Sequence, residues 1–246
     1  MRACESLYNK INDIIKHRDR VLRYFQGLSD RLDSITSSGD IVKSAQLTYL
    51  TTVLYQFCEF WAATEAIRKD LRLIEFSSAE QTTEFYLRLR QTLAVFPSGR
   101  LHRHLKVEES MLLKYEGRIL SGATTIISEC ILQDDRDGLQ FMPLCTFCSQ
   151  IASDQEFQAC LSPLVQFLED LVEYTQYDEQ NTAVDFRWAK LILFSSYLRK
   201  LILVLDDTNS IALLPELEEY ERVLVESNPK LAENIAFFEE AYPPLK

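Results

Sequence analysis

Glycine and proline are scarce in this chain, 6 and 7 of its 246 residues. That is too few for the turns of a many-stranded β protein, and no segment of four to eight residues alternates convincingly as a strand. Basic charge is in deficit as well: 26 Lys and Arg stand against 37 Asp and Glu, a formal net charge of −11. Binding a phosphate backbone needs a basic surface, so nucleic acid is excluded as the main partner. No glycine-rich phosphate loop, nucleophile elbow or HExxH motif occurs. The three histidines are His17, His102 and His104; His104 and Glu108 share a helical face, but catalytic zinc needs three protein ligands and no third stands near. Carboxylate pairs such as Glu108–Glu109 and Glu239–Glu240 read as solvated faces. Nothing here points to an enzyme, a cofactor, a bound metal or a small-molecule substrate.

Long apolar runs are also missing. The most apolar stretch, AKLILFSSYLRKLILVL (189–205), carries Lys190, Arg199 and Lys200 and falls short of the roughly 20 residues a bilayer span needs. It is expected as a buried central helix. Arg2, Glu5 and Lys10 interrupt any apolar run at the start, so no signal peptide is expected. The six cysteines are scattered through apolar stretches and do not form the framework of a small secreted domain. They read as reduced thiols of a cytoplasmic protein. Cys145 and Cys148 make a CxxC inside an apolar helix, with no second CxxC; two buried, structural thiols are expected there.

What is present is helical periodicity. Leu7, Ile11, Ile14, Arg18, Val21, Phe25, Leu28, Leu32 and Ile35 alternate spacings of four and three, a heptad seam interrupted once, at Arg18. This predicts one long helix packed lengthwise on a partner helix, within the molecule or across a dimer. TSSGD (36–40) ends it, and an aromatic-rich helix over about 41–74 returns antiparallel. Further helices are expected near 79–95, 100–132, 139–152, 155–176, 181–205, 211–226 and 229–240. Ser78 is the N-cap of the first of these, with Gln81 three residues on, and Asp154 separates two others. The fold class is all-α: a bundle of about eight to nine helices in one domain, with the PSG break allowing lobes of 1–97 and 98–246. The chain closes on YPPLK (242–246), whose Tyr-Pro-x-Leu form resembles a sorting-adaptor peptide and also suits a plain proline-ended tail.

Within the helix over 79–95, EFYLRLRQTL (84–93) places two arginines two residues apart, a spacing that does not share a helix face. On a wheel, Phe85, Leu89, Leu93 and Phe96 form the core arc with Thr92 at its edge. Arg88 and Arg90 fall at opposite borders, and Glu84, Leu87, Gln91 and Ala94 lie outward. Glu84 can pair with Arg88 for only about 0.3–0.5 kcal/mol, which leaves Leu87 unexplained. An apolar residue between two guanidinium groups on an acidic protein suits docking of an acidic partner surface.

This segment, after the aromatic helix LTYLTTVLYQFCEFWAATEAI (47–67), resembles the Rac-binding segment of the domain shared by the cytoplasmic FMRP-interacting proteins of the WAVE complex and the CYFIP-related Rac interactors. SGATTIISE (121–129), FMPLCTFCSQIASDQEF (141–157), RWAKLILFSSYLRKLILVLDD (187–207) and LPELEEYERVLVESNP (214–229) resemble family stretches in the same order, so the likeness covers most of 12–229. It implies an all-α, non-enzymatic protein that binds GTP-loaded Rac, restrains WAVE- and Arp2/3-driven actin branching, and is recruited near the plasma membrane leading edge through the GTPase. Rac-type GTPases present acidic and apolar residues on their switch surface as a family trait. The family's basic site is two adjacent arginines after tyrosines. Tyr86 and Arg88 match the tyrosine and the second arginine, Leu87 stands at the first, and Arg90 substitutes for it. The resemblance thus implies a partner-binding set of Arg88, Arg90, Leu87, Tyr86, Glu84 and Gln91. Small family members begin Met-Gly, a myristoylation start; this chain begins Met-Arg, which implies that the anchor is missing or the start of the chain lies elsewhere. The alternative to this reading is a scaffold subunit of a larger assembly, joined through the heptad helix (7–35).

Overall fold

The seam residues Val21, Phe25, Leu28, Leu32 and Ile35 are fully buried, as a stripe of one helix face should be when a partner helix covers it. In the computed structural model, which describes residues 18–32, 34–35, 47–69, 76, 78–98, 118–133, 140–175 and 186–206 together with positions 236 and 240, that partner is intramolecular. The first helix, α1, runs over 18–32 and 34–35. It meets α2 (Leu47–Lys69) through Phe25 on Phe60, with ring centroids 4.9 Å apart, and through Arg31, whose Nε donates to Gln56 Oε1 at 3.2 Å. Later residues of α1 thus meet earlier residues of α2, so the two run antiparallel as expected. Leu7, Ile11 and Ile14 lie outside the described residues.

Five more helices follow: α3 (Ala79–Ala94), α4 (Ser121–Ile131), α5 (Leu144–Ser153), α6 (Gln155–Thr175) and α7 (Phe186–Leu205). Seven helices among the described residues are fewer than the eight to nine expected; the segments 211–226 and 229–240 lie outside, apart from helical positions 236 and 240. Two boundaries differ from the sequence reading. The helix expected over 100–132 is not continuous, because residues 118–120 are non-helical and Leu120, with extended backbone, stands at the N-cap of α4. The helix expected from 139 starts five residues later. Ahead of it β2 (Gln140–Phe141) pairs antiparallel with β1 (Leu132–Gln133), with Leu132 opposite Phe141 and Gln133 opposite Gln140. Two residues per strand are too few for an alternation to register.

The core forms where α2 packs on α4, α3 on α7 and α6 on α4, α5 and α7. Phe57 and Trp61 of α2, Phe96 just past α3, Phe167 of α6 and Phe194 of α7 meet there, with centroid separations of 4.8–6.0 Å along the Phe96 contacts. Fully burying such a side chain contributes about 1.5–3 kcal/mol. Helix α7 is the buried central helix expected: Leu191, Leu193, Phe194, Tyr197, Leu198, Leu201, Ile202 and Leu205 are all enclosed. No helix among the described residues is long and apolar enough to cross a membrane.

Enclosing α7 also encloses Arg187, Lys190 and Arg199, and none of the three is without a partner. Arg187 pairs with Asp170 of α6 at 2.8 Å, and Lys190 Nζ donates to the Phe96 carbonyl at 3.2 Å. Neither α3 nor α7 carries a basic residue in its last turn. Lys190 supplies one from α7 to the end of α3. Arg18 of α1 does the same for α7, donating Nε (2.9 Å) and Nη2 to the Leu205 carbonyl. A cation at a helix C-terminus complements the dipole and satisfies a carbonyl that has no intrahelical partner. The break in the heptad seam is therefore the site of a specific contact, to a backbone carbonyl at the end of α7.

Candidate functional site

Helix α3 carries the predicted partner-binding residues, and local chemistry fixes its ends. Ser78 has extended backbone and its hydroxyl accepts from the Gln81 N–H at 3.1 Å, as the sequence indicates. The side chain of Gln81 donates instead to the Val204 carbonyl of α7 at 3.2 Å, so the cap is joined to a tertiary contact. At the other end the helix gives way to a turn over 95–97 that carries Pro97.

Burial along α3 is wider than the arc read from the wheel. Phe85, Leu89 and Thr92 are enclosed, as expected. Gln91, read from the sequence as outward, is 1% exposed and belongs to the buried side. The reason is α7. Glu84, Arg88, Gln91 and Val95 form one stripe at helical spacing, and the Glu84 end of it borders a cleft with Leu203 and Val204. Along this stripe Arg88 is held: its Nε donates to Glu84 Oε1 at 2.6 Å and its Nη1 to Gln91 Oε1 at 3.4 Å, with both charged side chains about four-fifths buried. Leu87, read as exposed, is half-buried, and Leu93, read as core, is only partly buried.

The opposite flank of α3 is open. Tyr86, Arg90, Leu93 and Ala94 form one wall of a groove of about 520 Å³; Trp61, Thr64, Glu65 and Arg68 of α2 form another, and Ser121, Thr124, Thr125 and Ser128 of α4 a third. Arg90 is exposed there. The Tyr86 hydroxyl is buried and has no hydrogen-bond partner among the described residues, and burial raises its pKa. Glu65, on the α2 wall, is paired to Arg68 at 2.9 Å. The α4 hydroxyls are already bonded to carbonyls one turn back: Thr124 and Thr125 to Ser121, and Ser128 to Thr124. The groove thus offers the exposed Arg90 beside walls that are largely polar and bonded within themselves, suited to receiving a carboxylate or carbonyl from a partner.

The structure consequently divides the six predicted residues. Tyr86 and Arg90 meet on the groove, Glu84, Arg88 and Gln91 are tied together beside α7, and Leu87 lies between the two sets. Sequence reasoning missed the α4 wall. Its signal is Ser121, Thr124, Thr125 and Ser128, a hydroxyl stripe at spacings of three, one and three that marks one helix face.

The CxxC differs from its reading in the other direction. Cys145 and Cys148 are both exposed, and Phe147 is the buried residue of α5. No cluster of three or more metal-ligating residues occurs among the described residues. No known protein family, curated protein or solved structure matches this chain.

Proposed function

We propose that this protein is a non-enzymatic binding partner of a Rac-type small GTPase in its GTP form, acting in the cytoplasm on WAVE- and Arp2/3-dependent actin remodelling. The observation that carries the reading is the exposed Arg90 on the groove, in the segment that resembles the Rac-binding stretch. An acidic and apolar switch surface finds there a cation and the apolar Leu93 and Ala94. The alternative, a scaffold joined through the heptad helix, draws less support, since over 21–35 the seam is occupied by the protein's own core.

The test separates the two arginines. Arg90→Asp should leave the fold intact and cut binding to the GTP-loaded GTPase by more than about tenfold, because a charged contact at an interface centre commonly counts for about 2 kcal/mol or more. Arg88→Asp also destabilises the fold, since it sets a second carboxylate against Glu84 at the site of a 2.6 Å ion pair. Binding is measured by pulldown against a panel of GTPases loaded with GTP or GDP analogues, at two salt concentrations. Unchanged binding by Arg90→Asp, or no preference for the GTP form, overturns the reading.

A further inference from the structure

We propose that Cys145 and Cys148 form a reversible dithiol–disulfide pair that exchanges with small-molecule disulfides of the glutathione class. Free cysteine is among the most buried residue types. Cys58 follows that rule, and Cys130 and Cys160 are at least partly enclosed. Cys145 and Cys148 break it together, and they do so at i and i+3, the spacing that puts two side chains on one helix face. Both are therefore open to a soluble reagent and adjacent to each other, two of the conditions for exchange.

Their place in α5 makes closure feasible and weak. Side chains three apart on a helix have Cβ atoms about 5–6 Å apart, whereas a disulfide needs about 3.5–4.5 Å. Oxidation must tighten the turn. It falls at the helix start, after Pro143, where the N-cap makes no side-chain hydrogen bond and the Phe147 N–H to Pro143 carbonyl bond (2.9 Å) is the first of the ladder. A bond formed under strain is the more readily reduced, which suits a reversible pair. In the exchange one cysteine thiolate attacks a sulfur of the external disulfide and releases one thiol. The other cysteine then attacks the mixed disulfide at its neighbour and releases the second. Two electrons pass to the external disulfide, and the two protons of the pair end on the released thiols.

The full chain, reduced, is titrated with mixtures of oxidised and reduced glutathione, acid-quenched, and alkylated with one reagent before reduction and a second after it. Mass mapping then reads each cysteine. The expected result is that Cys145 and Cys148 become protected together, with loss of two hydrogens and no added glutathione, and reopen with a dithiol. Cys145→Ser and Cys148→Ser, both at exposed positions, should each accumulate a glutathione adduct on the remaining cysteine at least about tenfold above the parent at the same ratio. Independent glutathionylation of the two thiols in the parent, a disulfide from either to another cysteine or chain, or thiols that stay reactive throughout would each overturn the proposal.

Discussion

Arg18 shows how one residue can look like a flaw in a sequence and act as a fastener in the fold. Its guanidinium closes the end of α7 on the Leu205 carbonyl. Hydrogen bonds to a charged donor contribute about 1.5–3 kcal/mol, so Arg18→Leu should lower the melting temperature even though it completes the apolar seam. A melting temperature equal to or above the parent's in thermal unfolding would mean the seam gains more than the carbonyl loses. Glu59 gives a second residue-scale test. Burial raises its carboxyl from 4.5 to about 7, with a hydrogen bond from Tyr55 acting in the opposite direction. For a folded pKa raised above the unfolded one, the stabilisation is full below the unfolded value and is lost as pH rises through the folded value. The Glu59 contribution should therefore fall between about pH 4.5 and 7. In Glu59→Gln that fall is removed, so its stability relative to the parent should increase across this window. Parallel pH–stability curves for the two proteins would refute it.

Helix starts are the element-scale feature most open to test. Ser78 caps α3 through one N–H, that of Gln81, whereas Asp154 Oδ1 accepts from two at the start of α6, Glu156 (2.9 Å) and Phe157 (3.0 Å). Losing a cap costs about 0.5–2 kcal/mol. Denaturant unfolding should show both Ser78→Ala and Asp154→Ala destabilised, the second more, since it strands two donors and removes a negative charge from a helix N-terminus. Equal and negligible effects would mean that packing, not capping, sets these ends.

At the scale of the whole molecule, Phe96 lies beside the sequence break at 97–98 yet reaches across it. Its ring touches Phe57 and Trp61 on one side of the break and Phe167 and Phe194 on the other, and its carbonyl holds Lys190. Phe96→Ala should cost about 3–5 kcal/mol, and the parent should unfold in one cooperative step by calorimetry and by circular dichroism. Two separated transitions, only one of them moved by Phe96→Ala, would instead describe independent lobes of 1–97 and 98–246.

Periodicity and local chemistry by themselves determined the helical class, the buried face of α1, the caps at Ser78 and Asp154 and the enclosure of α7. Each of these follows from residues within a few turns of one another. What lay beyond reach was whatever depends on which neighbour covers a given face. A helical wheel orders Glu84, Arg88 and Gln91 relative to Phe85, but only the packing of α7 decides that this flank is closed and the Tyr86–Arg90 flank open. The same holds for Cys145 and Cys148, whose apolar neighbours suggested burial while Phe147 alone turns inward. It holds also for the cations at the ends of α3 and α7, which come from helices 94 and 187 residues away along the chain. Sequence spacing fixes directions around one helix axis; contact between distant segments decides which of those directions meets water.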